Sequence, residues 1–178
     1  YVPRGAYFAR YLEVFDNPTA APISVDVALT SRYVGGGVYA TSSGDATATT
    51  ADRWLIIDDT VDADPLTVAD QQAVSAHVFA ATTSAGPPDA VEVVTNAGKP
   101  RLTERWNALT VPAGGRVTLM HFAVQQIHRD GARAAVERLI ALPPEALADL
   151  TAEEAATIRN FDVPADLAST LDPLPSLT

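Results

Sequence analysis

Ile23, Val25, Val27 and Leu29 alternate with Ser24, Asp26 and Ala28, the period of an extended strand with one buried face. Apolar positions on a helix recur every three or four residues, so this stretch commits the chain to a sheet. Upstream, the run Arg10 to Phe15 reaches it through a turn containing Asp16, Asn17, Pro18 and Pro22. Near the other end the theme repeats, with Pro112-Ala-Gly-Gly115 feeding the long apolar run up to Val124. Together the two stretches predict an antiparallel β-sandwich.

Strands are expected over 7–15, 23–33, 38–43, 54–57, 75–80 and 90–94, and 106–111 with 116–126 should form a final hairpin. Residues 46–51 read as a polar strand or a loop, and Gly35-Gly36-Gly37 as a turn between strands. The character changes after Gln126. Ala132, Val136, Leu139 and Ile140 keep helical spacing, and Asp130 is placed to cap a helix over 131–142. Pro143-Pro144 ends that helix and opens a short one. Thr151 and Glu154 have capping-box spacing for a helix over about 152–160. The expected fold is therefore mainly all-β, an antiparallel sandwich over 1–126. A short C-terminal α-helical extension, 127–161, docks on it, and an extended Pro-rich tail runs over 162–178.

A chain of 178 residues can bury roughly two-thirds of its unfolded surface without a metal or disulfide staple. It has no cysteine, which excludes thiol catalysis, zinc–thiolate sites and disulfides. The net charge is −10, from 22 acids against 12 bases. The bases are Lys99 and arginines spread along the chain with no basic stripe, which disfavours a nucleic-acid partner. No apolar run approaches bilayer length, so no membrane insertion is expected. The start at Tyr1, without an initiator Met or a preceding signal-like segment, suggests a processed end or an excised domain of an exported protein.

Few residues carry recognisable chemistry. His77 and His121 lie inside strand patterns and could neighbour one another on paired strands. That permits a two-histidine metal site or a general base, or simply hydrogen-bonded residues in the interior. His128 falls at a strand-to-helix junction. Thr41-Ser-Ser-Gly-Asp45 lacks the G-x-S-x-G elbow, so a Ser43–His121–Asp constellation competes with a polar turn. Glu13 and Glu92 are the strand carboxylates to examine as a pair. Asp58, Asp59, Asp62 and Asp64 crowd four carboxylates into seven residues, either a calcium site or a solvated acidic turn. Tyr7 and Tyr11 share one parity with Phe15. With Trp54 and Trp106 they could form a ligand platform, unless both faces of the strand are covered and the rings pack in the core.

Arg10-Tyr-Leu-Glu-Val-Phe-Asp-Asn-Pro, Thr41-Ser-Ser-Gly-Asp, Ala51-Asp-Arg-Trp-Leu-Ile-Ile-Asp-Asp and Val111-Pro-Ala-Gly-Gly-Arg-Val-Thr-Leu-Met-His-Phe resemble β-sandwich modules of large secreted or surface-attached bacterial proteins. The resemblance covers most of 7–126 and extends to the Leu142-Pro-Pro-Glu-Ala-Leu tail. Such modules are similar in organisation to immunoglobulin-like and supersandwich accessory domains. The resemblance implies a spacer, docking surface or glycan-binding unit, and it brings no catalytic residues with it. The expectation is a non-catalytic interaction module of an exported, secreted or cell-surface bacterial protein, partnered by neighbouring domains or other proteins. A carbohydrate-binding module, with calcium at the acidic loop, is the alternative. A hydrolase or lyase with a sheet-face site around His77 and His121 is the third reading.

Overall fold

The computed structural model describes residues 1–3, 7–68, 72–84 and 86–174. The strands are β1 Phe8–Asp16, β2 Ile23–Arg32, β3 Gly37–Thr41, β4 Trp54–Asp58, β5 Val74–Val78, β6 Ala90–Asn96, β7 Lys99–Val111 and β8 Arg116–Gln126. The helices α1 Arg129–Leu139, α2 Pro144–Leu147 and α3 Ala152–Thr157 follow. All strand pairs are antiparallel, in one sheet of order β1-β8-β5-β4-β3 and a second of order β2-β7-β6. The expected sandwich with C-terminal helices is what forms. Among the described residues no helix is long and apolar enough to cross a membrane.

The turns behave differently from expectation. β7 and β8 do not form a hairpin: β7 pairs with β2 and β6, whereas β8 pairs with β1 and β5. Pro112-Ala-Gly-Gly115 is an arch that carries the chain from one sheet to the other, and the Asn17–Pro22 turn does the same between β1 and β2. The two arches lie side by side and are joined through Asn17. Its amide donates to the carbonyls of Ala21, Val111 and Pro112 at 2.8–3.1 Å, and its backbone N–H donates to Gly115. Proline supplies no N–H for a ladder, which suits these segments to leaving a sheet.

β7 also begins seven residues before the expected Trp106, because charged Lys99, Arg101 and Arg105 hide its alternation. It bulges against β2 where Val25 pairs with Leu109 but Val27 with Trp106. Ala108 there has φ 53°, and its N–H is satisfied at 2.8 Å by the Asp26 carboxylate. A bulge adds an unpaired residue, and here a carboxylate takes up the freed donor.

Alternation gives the five-stranded sheet two buried faces. One faces the helices, with Phe8, Ile56, Val78, Met120, Phe122 and Val124 packed against Ala132, Val136, Leu139, Leu147 and Phe161. The other faces the second sheet, with Leu55, Ile57 and Phe79 against Val91 and Leu102, and Leu119 against Val27 and Trp106. The C-terminal segment is bound in by Asn160. Its side chain accepts from the Met120 N–H at 2.9 Å and donates to the carbonyls of Phe79 and Met120 at 2.6 Å. Arg10, buried, donates to the carbonyls of Ala146 and Ala148 at 2.7 and 2.9 Å.

Helix α3 carries the full capping box of Thr151 and Glu154. Helix α1 departs from expectation: its N-cap is His128, without a side-chain cap, and Asp130 sits in the first turn. The cap comes from far along the chain, where Asp62 accepts from the Arg129 N–H at 3.0 Å. The tail's last residues, 175–178, and residue 85 between the expected strands 75–80 and 90–94 lie outside the described residues.

Candidate functional site

The second layer of the sandwich is not wholly apolar. On β5, His77 pairs in register with Leu55 of β4 and Ala123 of β8, and its ring points between the sheets. On β7, Glu104 shares the parity of buried Leu102 and Trp106, so it faces His77 from the opposite sheet. His77 Nε2 and Glu104 Oε1 approach to 3.0 Å with side chains 2% and 1% exposed. The approach lies off the ring's N–H direction, so neither atom gains an aligned hydrogen bond among the described residues. The contact is a close polar approach between the layers rather than a directed bond.

Two further polar rings complete the cluster. His121 stacks on His77 with ring centroids 5.0 Å apart, and Tyr11 stacks on His121 at 4.9 Å, 8° from parallel. The column runs from half-exposed Tyr11 to fully buried His77. Burial, and then the charge of His77, drive the His121 imidazole from its usual 6.5 down to about 3. Its Nδ1 is buried without a hydrogen-bond partner among the described residues, consistent with a neutral ring. The Tyr33 hydroxyl is likewise buried and unbonded, and burial followed by the Glu104 carboxylate pushes its ionisation well above the usual tyrosine range.

His77 and His121 are therefore neighbours, as the strand patterns allowed, and a carboxylate joins them. That carboxylate is neither of the two expected. Glu13 lies on β1 and Glu92 on the exposed side of β6, in different sheets. The charged residues of 99–105 mask the strand, although the alternation Leu102-x-Glu104-x-Trp106 points Glu104 inward. Ser43 belongs to a different neighbourhood. Its hydroxyl lies 2.9 Å from that of Thr41, and its N–H donates to Asp52. Asp52, fully buried, also accepts from Thr49 and Ser42 and so ties the 41–52 loop together. Burial pushes its carboxyl up, but these donors outweigh burial and hold it below the usual range.

The acidic loop is occupied by the protein itself. Asp58 receives the Arg129 guanidinium at 2.6 Å, and Arg129 also donates to the Asp59 carbonyl. Asp59 accepts the N–H groups of Val61 and Gln72, Asp62 that of Arg129, and Asp64 that of Leu66. The carboxylates diverge towards these donors, and among the described residues no group of three acids or histidines is disposed to hold a metal. The loop's charge thus clamps the start of α1.

The expected aromatic row separates. Tyr7 precedes β1 and turns to the helical side, donating to Glu145 at 3.1 Å, while Tyr11 faces the other way onto His121. Trp54 is buried in the helix-facing core with Arg133 over its ring at 5.5 Å, and Trp106 is buried with its indole N–H on the Gly86 carbonyl. Of the three expected ligand-binding residues, only Tyr11 is exposed.

The surface concavities lie elsewhere. One of about 650 Å³ is lined by Pro87, Pro88, Trp106, Arg116 and Arg159 among others, and one of about 580 Å³ by Gly36, Gly37, Tyr39, Asp58 and Thr60. Neither touches His77, His121 or Glu104. At Gly36, φ is +83° and a Cβ would collide with the Asp58 carbonyl, so glycine is required for this loop to lie against β4. No protein-family model matches this chain, and no curated protein matches it.

Proposed function

We propose that this chain is a non-catalytic scaffold and interaction module of an exported bacterial protein. It would hold the loops 35–37, 58–65 and 84–89 towards a partner or a neighbouring domain. The observation that carries the reading is the separation of chemistry from access. The His77–Glu104 pair is sealed between layers. The concave surfaces of about 650 and 580 Å³ sit at those loops and are lined by no histidine, the exposed His128–Asp62 pair lying outside both. General acid–base work requires the catalytic atom within hydrogen-bond reach of a substrate proton. The buried His77 and Glu104 atoms offer no such approach. The loops, in turn, are fixed by internal bonds through Arg129, Asp58, Asp62 and Asp52, which favours a pre-organised binding surface. The likeness to accessory sandwiches of surface proteins supports the same reading.

The test is a panel of glycans and glycan-cleavage substrates, each with calcium and with a chelator. The expected result is no turnover and no glycan capture in either condition. Turnover lost in a folded His77→Phe/Glu104→Leu variant would overturn the reading in favour of an enzyme. Calcium-dependent capture lost in Asp62→Asn would overturn it in favour of a carbohydrate-binding module.

A further inference from the structure

The outer face of the second sheet gathers positive charge that the linear sequence disperses. Leu102, Glu104 and Trp106 of β7 point inward, so Lys99, Arg101, Thr103 and Arg105 point outward, and all but Thr103 are exposed. Across the ladder Arg32 of β2 stands directly opposite Arg101, and Val94 and Asn96 of β6 flank Arg101 and Lys99. Four of the chain's 12 bases thus share one face with a single β6 carboxylate, Glu92 opposite Thr103, in a protein whose net charge is −10. The reading of scattered bases without a stripe is corrected here. The period of a strand and the pairing of distant strands assemble what sequence order separates.

Like charges directly opposite on neighbouring strands destabilise a sheet. Among the described residues none of Arg32, Lys99, Arg101 or Arg105 makes a salt bridge, although acids outnumber bases in the chain. The cations also surround a depression. Arg32, Tyr33, Val94, Asn96, Lys99, Pro100 and Arg101 line a hollow of about 300 Å³, room for an oxyanion group together with part of the small molecule or chain end that bears it.

Its walls are set in advance. The Tyr33 N–H donates to the Pro100 carbonyl at 3.0 Å, locking Arg32 beside Arg101. A two-residue turn with positive φ at Ala97 and Gly98 fixes the start of β7 at Lys99. Arginine presents a planar fork of donors to an oxyanion, and lysine adds a point charge. The acidic remainder of the surface opposes a long polyanion, which would have to run beyond this face.

We propose that this hollow binds a compact oxyanion, a phosphate, sulfate or carboxylate group borne by a small molecule or a chain end, between Arg32, Arg101 and Lys99. Its occupation would relieve the facing guanidinium charges. The site goes beyond the scaffold reading and does not depend on it.

The experiment follows backbone amide resonances during titration with orthophosphate, sulfate and glucuronate at constant ionic strength. The expected result is a saturable shift confined to Arg32, Tyr33 and Arg101 and their ladder partners. Affinity should drop about tenfold or more in Arg32→Ser/Arg101→Ser, as loss of two charge-assisted donors implies, and change little in Arg159→Ser, an exposed arginine outside the hollow. Preference for orthophosphate or sulfate identifies a tetrahedral ester as the ligand group, and preference for glucuronate a carboxylate; either supports the site. Without anion the double variant should be at least as heat-stable as the parent, since a like-charge contact is removed, so a folding defect does not obscure the result. An equal loss in Arg159→Ser, or no saturable shift with any of the three anions, would overturn the proposal. So would a short single-stranded oligonucleotide that binds more tightly over a wider footprint.

Discussion

The two buried faces of the five-stranded sheet are filled with different chemistry. Towards the helices the interior is aromatic and aliphatic, with Phe122 edge-on to both Phe8 and Phe161 at 5.5 Å. Buried polar side chains there reach the backbone: Asn160 uses its amide on three backbone groups, and Arg10 donates to two carbonyls, although its Nε lacks a partner among the described residues. Towards the second sheet the interior holds His77, Glu104, His121 and Tyr33, each with a buried atom that lacks an aligned partner among the described residues. Polar groups that order a fold bond completely, as Asn160 does. A close buried pair that is not aligned contributes less order, and replacing it whole by apolar residues need not destabilise the layers.

The largest expected effect is at that pair. Replacing Glu104 by Leu leaves His77 buried opposite an apolar group and should lower stability by about 3–5 kcal/mol in urea unfolding. The double variant His77→Phe/Glu104→Leu should recover most of the loss, which a double-mutant cycle would read as strong coupling. Additive losses would mean that the two side chains act separately. On the opposite face, Asn160→Leu strands the Phe79 and Met120 carbonyls and the Met120 N–H. About 2–4 kcal/mol should be lost there, with no compensating partner change available. A second-site rescue of Asn160→Leu as complete as that expected for the pair would erase the distinction between the faces. Smaller still is Tyr11→Ala, which removes a stacked ring and should cost about 1 kcal/mol while opening His121 to water. The His121 titration midpoint should then rise, measurable by proton resonance, whereas Tyr7→Phe should leave it where it is.

Much of this contrast was legible where the pattern is local. The alternation of Ile23 to Leu29 marked β2, and the spacing of Thr151 and Glu154 marked the start of α3. The neighbouring positions of His77 and His121 followed from strand patterns alone. What the chain concealed depends on pairing across distance. A Pro- and Gly-rich turn reads alike whether it closes a hairpin or arches between sheets, and only the partners of β7 and β8 decide. That Asp58 takes the guanidinium of Arg129, some 70 residues on, cannot be read from the acids at 58–64 themselves. Glu104 looked like a surface charge because Lys99, Arg101 and Arg105 around it are surface charges.

The central claim is that the polar column between the sheets is a closed structural element, and the most direct test is the pH titration of His121 by its imidazole proton resonances. Its folded-state midpoint lies below the unfolded value. The unfolded chain therefore binds more protons between pH 6.5 and about 3, and the stability held above pH 6.5 should decline as pH falls through that window. The account predicts a neutral ring from pH 7.5 to about 4.5, with acid loss of structure setting in only as the lower midpoint is approached. A reversible midpoint near 6.5 in the folded protein would show that water reaches the column, and would contradict the account.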